Sequence, residues 1–380
     1  MDTNKRLYFD FVTSNYLPLL IIIATTIVSF YIFHSNYLWY DESLQFFLSR
    51  GIDQFSELFT LPGDIVQVVD KNIKYNMDPG GFSILLHIWQ KLSLNILWIR
   101  LLPAIFFLLF IFYFGKIFYQ LFNNVKFSLY ISLIPFFLPN LAPLIVLLRA
   151  YSMEALGVIL SVSFLIKLQK NISIKNLLVY SMILSILISS RYSLLLLVFI
   201  QANFVIYEIL MKKSKFKNKV YQLFAYSSPL FFSVTLIYIF TLNHQNPDLD
   251  HGQGYMPFLA NDPLIFFRGI NLIYSMILIF ISFFYYTMKT KINKSFRVLL
   301  LFTLVSNLFF ILLSLINIHP WSLHAPTRLN VCFIPTLISF ISIIYCMTKD
   351  YLSFIFSGKL SSYFPSLAIF TILIYFLLLN

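Results

Sequence analysis

Apolar stretches of bilayer-crossing length, about 17–25 residues, recur near 17–33, 99–119, 127–147, 152–169, 174–190, 193–211, 221–242, 264–287, 298–317, 329–347 and 363–379. The pattern predicts an all-α polytopic membrane protein of eleven transmembrane helices. Polar positions return after the first span in Trp39–Gly51, WYDESLQFFLSRG. There Leu44, Phe47 and Leu48 recur at helical spacing behind Asp41 and Glu42, and Arg50-Gly51 supplies a basic last turn and a stop. A short amphipathic juxtamembrane helix is expected, with Asp41 at its N-cap or N1 position. Phe82–Leu97 is a further apolar run, but counting it as a span would reverse the side of every later loop. It is therefore read as a non-crossing or re-entrant helix.

Composition agrees: 59% of residues are hydrophobic and 11% charged, with a mean hydropathy of +0.82, outside the range of soluble domains. Lys5 and Arg6 precede the first span and no small-residue cleavage site follows it, which predicts a retained signal anchor. The net charge of +12 does not call for a nucleic-acid partner. It gathers at Lys167–Lys175, Lys212–Lys219, Lys289–Arg297 and Lys349–Lys359, clusters separated from one another by two spans and so all expected on the cytoplasmic side. Residues 1–380 read as one integral membrane domain. Cys332 and Cys346 would lie roughly 20 Å apart on one helix, too far for a disulfide. Span centres lack ionisable residues, unlike ion-coupled transporters, which place them at the midplane.

Candidate chemistry gathers in the loops assigned to the outer face. Asp78 precedes the Pro79-Gly80-Gly81 break, either as a turn residue or as a second acid. LLRAYSMEAL places Arg149, Tyr151 and Glu154 at a tight corner, Arg191 sits in SSRYS, and His324 and Arg328 precede a late span. An interfacial Arg or Tyr can serve as an anchor alone. Three arginines on the face where positive charge is not favoured point instead to an anionic head group, which guanidinium binds in planar bidentate fashion. His244, Asp248, Asp250 and His251 have the chemistry of divalent-metal ligands but fit no strong spacing. Metal dependence stays open.

Asp41-Glu42 after the first span, Asp78-Pro79-Gly80-Gly81 before an apolar helix, Arg100-Leu101-Leu102-Pro103 and the Arg149-Ala150-Tyr151 corner together resemble the GT-C membrane glycosyltransferases. The likeness is to the branch of protein O-mannosyltransferases and lipid A aminoarabinose transferases. It is good over residues 1–220 and loose over 221–380. The sequence departs from the pattern at Gly80, where a second Pro is usual, at Asp78, where His or Lys is common, and at Leu329. The resemblance implies a sugar donor carried on a polyprenyl phosphate, a glycan, lipid or protein acceptor, and a bacterial inner membrane with its active site facing outward. It implies Asp41 and Glu42 as the catalytic residues, Asp41 being the general base. Asp78, Arg149, Tyr151, Glu154, Arg191, His324 and Arg328 would then bind substrate, Arg149 and Arg328 first and Arg191 second on the leaving phosphate. A lipid-linked glycan polymerase or ligase, a transporter and a non-enzymatic scaffold are the competing readings.

Overall fold

Helix accounts for nearly all of the regular structure, as expected where backbone polar groups must be satisfied without water. The computed structural model describes residues 16–34, 37–38, 40–52, 61–76, 78–138, 141–169, 173–212, 214–244, 293–315 and 330–355. Among these residues there are twelve α-helices and no strands. Five helices are long and apolar enough to cross a membrane: Ile96–Phe122, Tyr151–Leu168, Tyr192–Met211, Phe216–His244 and Val331–Lys349. The protein is a helical membrane protein. The expected spans 264–287 and 363–379 lie outside the described residues.

Helix α1 (Tyr16–His34) is followed by three short helices, α2 (Tyr40–Ser49), α3 (Ile65–Tyr75) and α4 (Gly81–Gln90), which pack on one another. At ten residues α4 is about 15 Å long, too short to cross a bilayer. Its chain turns at Lys91-Leu92 and re-enters the bundle as α5 (Ile96–Phe122). Trp89 and Trp98 fasten this turn, with rings stacked 4.5 Å apart and each indole N–H donating to the other's carbonyl, at 2.8 and 3.1 Å.

The expected span 127–147 is not one helix. Helix α6 (Val125–Ser132) gives way to two 3-10 turns, Ile134–Phe137 and Ala142–Ile145, each with a proline in its first turn. Pro135 and Pro143 cannot donate to the helical ladder, and each ring disfavours helix in the residue before it. Irregular backbone at this depth is tolerated where protein covers it, and Leu141, Leu144 and Ile145 are completely buried.

Helix α7 (Tyr151–Leu168) forms the axis of the bundle: every residue except Lys167 is buried. It packs against α5, α8 (Ile174–Leu187), α9 (Tyr192–Met211), α11 (Lys294–Leu315) and α12 (Asn330–Ile355), while α10 (Phe216–Phe240) packs outside α8. A helix apolar on all sides needs this surrounding. Gly157 marks the closest approach of α7 to α9, since a Cβ there would sit 2.2 Å from the Leu194 side chain. Polar contacts fasten α11 to α12: Thr303 and Ser339 hydroxyls lie 2.8 Å apart, and Asn307 donates to Thr336 at 2.9 Å. Such small and polar residues hold helices together where lipid removes the hydrophobic contrast. At one end of the bundle Glu208 pairs with Lys294 at 3.1 Å. At the other end α2, α3 and α4 meet the corners before α7 and α9, and that end carries the candidate site.

Candidate functional site

The two adjacent acids divide. Helix α2 begins at Tyr40, which places Asp41 and Glu42 inside its first turn, where carboxylates favour the helix dipole. Asp41 is therefore not the N-cap. Glu42 turns inward and is buried. Its Oε1 accepts from Arg100 Nη1 at 3.0 Å and from the Leu148 N–H at 2.7 Å, and its Oε2 accepts from Arg100 Nη2 at 3.3 Å. Arg100 also donates to the carbonyls of Val146 and Tyr37. This buried fork joins α2, α5 and the irregular 146–148 strand of chain, so Glu42 has no oxygen turned to a substrate. The family-like Arg100-Leu101-Leu102-Pro103 segment thus acts through Arg100, a residue absent from the site expected on sequence grounds.

Asp41 lies on the other side of the same turn, half-buried, and its carboxylate makes no hydrogen bond or ion pair among the described residues. Its backbone carbonyl accepts from Arg149 Nη1 at 3.3 Å. Arg149 has no carboxylate partner among the described residues, and its buried Nε has no hydrogen-bond acceptor. Among the described residues, an acid without a partner and a guanidinium without a carboxylate therefore stand near each other at the start of α2.

The loop that follows is built around side-chain amides. Asp64 opens α3 with a capping box, accepting from the Gln67 N–H while the Gln67 side chain accepts from the Asp64 N–H, both at 2.9 Å. Only one side of the helix, with Val68 and Asn72, is buried. Asn72 is the hub: its Oδ1 accepts from Ser83 at 2.8 Å and Asn76 at 3.2 Å, and its Nδ2 donates to the Asp78 carbonyl at 2.7 Å. Gln45 of α2 joins through Ser83 at 2.7 Å. Lower down, His87 Nδ1 must be the protonated nitrogen, because it faces the Ser49 carbonyl at 2.9 Å. None of these amides was singled out from sequence; only the Asp64-x-x-Gln67 spacing signals the local structure in advance.

Gly80 and Gly81 explain the departure from a Pro-rich turn. Gly80 has φ +90°, a left-handed conformation that side chains resist. Gly81 donates its N–H to the Ser189 carbonyl at 2.9 Å, and a Cβ there would lie 2.8 Å from that same oxygen. The turn is pressed against the corner that precedes α9, which leaves Asp78 Oδ1 3.3 Å from Arg191 Nε.

Arg191 faces a second acid, with Nη1 3.9 Å from Glu154 Oε2. Glu154 is wholly buried and also accepts from the Ser193 hydroxyl. The Tyr151 ring is near both arginines, 4.5 Å from the Arg191 guanidinium carbon and 6.0 Å from that of Arg149. Burial opposes the charge on Arg191, but Asp78, Glu154 and Tyr151 outweigh it and hold the guanidinium above its ordinary pKa. Among the described residues, Arg191 thus has two carboxylate partners and Arg149 none.

Asp41, Glu42, Asp78, Arg149, Tyr151, Glu154 and Arg191 therefore come together at one end of the bundle, from four segments of the chain. His324 and Arg328 lie outside the described residues, as do Asp248, Asp250 and His251. Among the described residues no three of His, Cys, Asp and Glu converge as a metal-ligand set, and His244 is exposed at the end of the 3-10 helix Leu242–His244. No family model, no curated protein and no solved structure matches the chain.

Proposed function

We propose that the protein is a GT-C-like glycosyltransferase that moves a sugar from a polyprenyl-phosphate donor to an acceptor at the outer face of a bacterial inner membrane. The observation that carries this reading is the Arg149 guanidinium, which has no carboxylate partner among the described residues and a buried Nε without an acceptor, held to the Asp41 carbonyl at 3.3 Å beside a carboxylate that is also unpaired among those residues.

In this reading Asp41 takes the proton of the acceptor hydroxyl as that oxygen attacks the anomeric carbon, and the bond from that carbon to the phosphate oxygen breaks. A base must lie within about 3 Å of the proton it removes, and a carboxylate with no partner of its own is available for that. The departing polyprenyl phosphate gains charge, which Arg149 neutralises through its free donors. Glu42 has a different role from the one the resemblance implies: locked to Arg100 and Leu148, it fixes the first turn of α2 and so the position of Asp41. Arg191, already paired with Asp78, stands against the Tyr151 ring beside them.

The test is reconstitution of the purified protein in liposomes with polyprenyl-phosphate sugars and a panel of hydroxyl acceptors. The expected result is acceptor-dependent release of polyprenyl phosphate, lost in Arg149→Ala. Absence of release with every donor, or full activity in that variant, overturns the reading.

A further inference from the structure

Arg191 is held less well than its two acids suggest. Asp78 and Glu154 approach it at 3.3 and 3.9 Å, yet Nε and Nη1, both shielded from solvent, have no aligned hydrogen-bond acceptor. Charge-assisted guanidinium–carboxylate bonds normally close to about 2.7–2.9 Å, so among the described residues Nε and Nη1 lack the close acceptor they favour, while Tyr151 supplies a side-chain hydrogen bond to the same guanidinium. We propose that Asp78 is an exchangeable counter-ion: an anionic phosphate ester arriving beside Arg149 displaces the Asp78 carboxylate from Arg191, which then serves as the second guanidinium on the phosphate. The proposal rests on the phosphate reading above and adds the competition that governs access to the site.

Four further observations support exchange over a permanent clasp. The turn that carries Asp78 is anchored by its backbone, through Asn72 Nδ2 to the Asp78 carbonyl at 2.7 Å and Gly81 N–H to the Ser189 carbonyl at 2.9 Å. The carboxylate can therefore leave Arg191 while the loop stays docked. Glu154 does not leave, because it is buried within α7 and fixed by Ser193; it keeps Arg191 charged and in place during the exchange. The Tyr151 ring has both guanidinium groups within 6.0 Å of its centre, which keeps the two cations close to one rigid side chain and within reach of one anion. Arg191 also sits at the N-cap of α9, where the helix dipole favours an incoming anion.

Exchange makes a prediction of unusual sign. If Asp78 were a substrate ligand or only a structural clasp, removing its charge would leave anion binding unchanged or weaken it. If it competes with the anion, removing its charge tightens binding. The experiment measures the affinity of undecaprenyl phosphate in nanodiscs for the full-length wild type, Asp78→Asn, Asp78→Ser and Arg191→Gln, and for Asp78→Asn combined with Arg191→Gln. The expected result is tightening by about two- to fivefold in both Asp78 variants, in line with the modest worth of partly exposed ion pairs. It should vanish in the Arg191→Gln background, which isolates the pairwise coupling. Wild-type binding with equal or weaker binding in the Asp78 variants overturns the exchange and leaves the phosphate reading standing. No binding in the wild type or in either Asp78 variant overturns both.

Discussion

Glu42 and Asp41 illustrate how much one turn of helix decides. The same two letters that read as a catalytic pair place one carboxylate in a dry fork with Arg100 and leave its neighbour without a partner among the described residues. Breaking a buried pair strands the remaining charge, at a cost of about 3–5 kcal/mol, so Glu42→Gln should lower the thermal midpoint of the purified protein by many degrees. An unchanged midpoint would contradict the structural role given to Glu42. Arg149 calls for the opposite kind of test, because its value lies in its shape. Lysine keeps the charge but lacks the planar fork, and Arg149→Lys should therefore raise the donor KM by roughly tenfold, the equivalent of about one charge-assisted hydrogen bond, without altering the melting curve. Equal donor kinetics in the two proteins would remove Arg149 from the phosphate. That Asp41, Asp78, Arg149 and Arg191 share one end of the bundle was legible in the sequence, since loop parity and the positive-inside bias put their segments on one side. The pairing of Glu42 with Arg100 across 58 residues was not, because nothing local to either residue encodes a contact at that separation.

At the scale of elements, the hydrophobic pattern located α1, α2, α5, α7, α9 and α12 because each is a continuous apolar or amphipathic run bounded by polar residues. It failed over 127–147, where hydropathy counts apolar residues and ignores whether the backbone can donate. Pro135 and Pro143 were the signal, and they outweigh the apolar content. Helix α3 was missed because half its surface is polar, although its capping box is written in Asp64 and Gln67. Two glycines set how closely elements approach. Gly157→Ala would drive a methyl group into Leu194 at the crossing of α7 and α9, and overpacking of this kind costs about 1–3 kcal/mol. Thermal unfolding in detergent should register that loss; an unchanged midpoint would mean that the crossing is looser than described. Gly81→Ala should act differently, lifting the 78–81 turn from Ser189 and lowering transfer activity more than stability, since its clash is with the side chain and backbone oxygen of Ser189 beside the site.

At the scale of the whole molecule, the account needs the end bearing α2 and α4 to face outward and the end bearing the Glu208–Lys294 pair to face the cytoplasm. Single cysteines at Lys91 and Asn243, introduced with the native Cys332 and Cys346 replaced, should react with an impermeant maleimide in intact cells, whereas one at Lys215 should react only after permeabilisation. Labelling of all three in intact cells, or the reverse pattern, would invert the assigned sides and move the site away from an external acceptor. The central claim is that Asp41 removes a proton during sugar transfer, and the most direct measurement is single-turnover transfer from a purified polyprenyl-phosphate sugar by Asp41→Asn. Asparagine is nearly isosteric and gives up only the charge–dipole term of the first turn, about 0.3–1 kcal/mol, so fold and donor affinity should persist. The account predicts a fall in rate of about 10²–10⁴-fold, the usual contribution of a general base, with donor binding retained; transfer at the wild-type rate by the folded variant would contradict it.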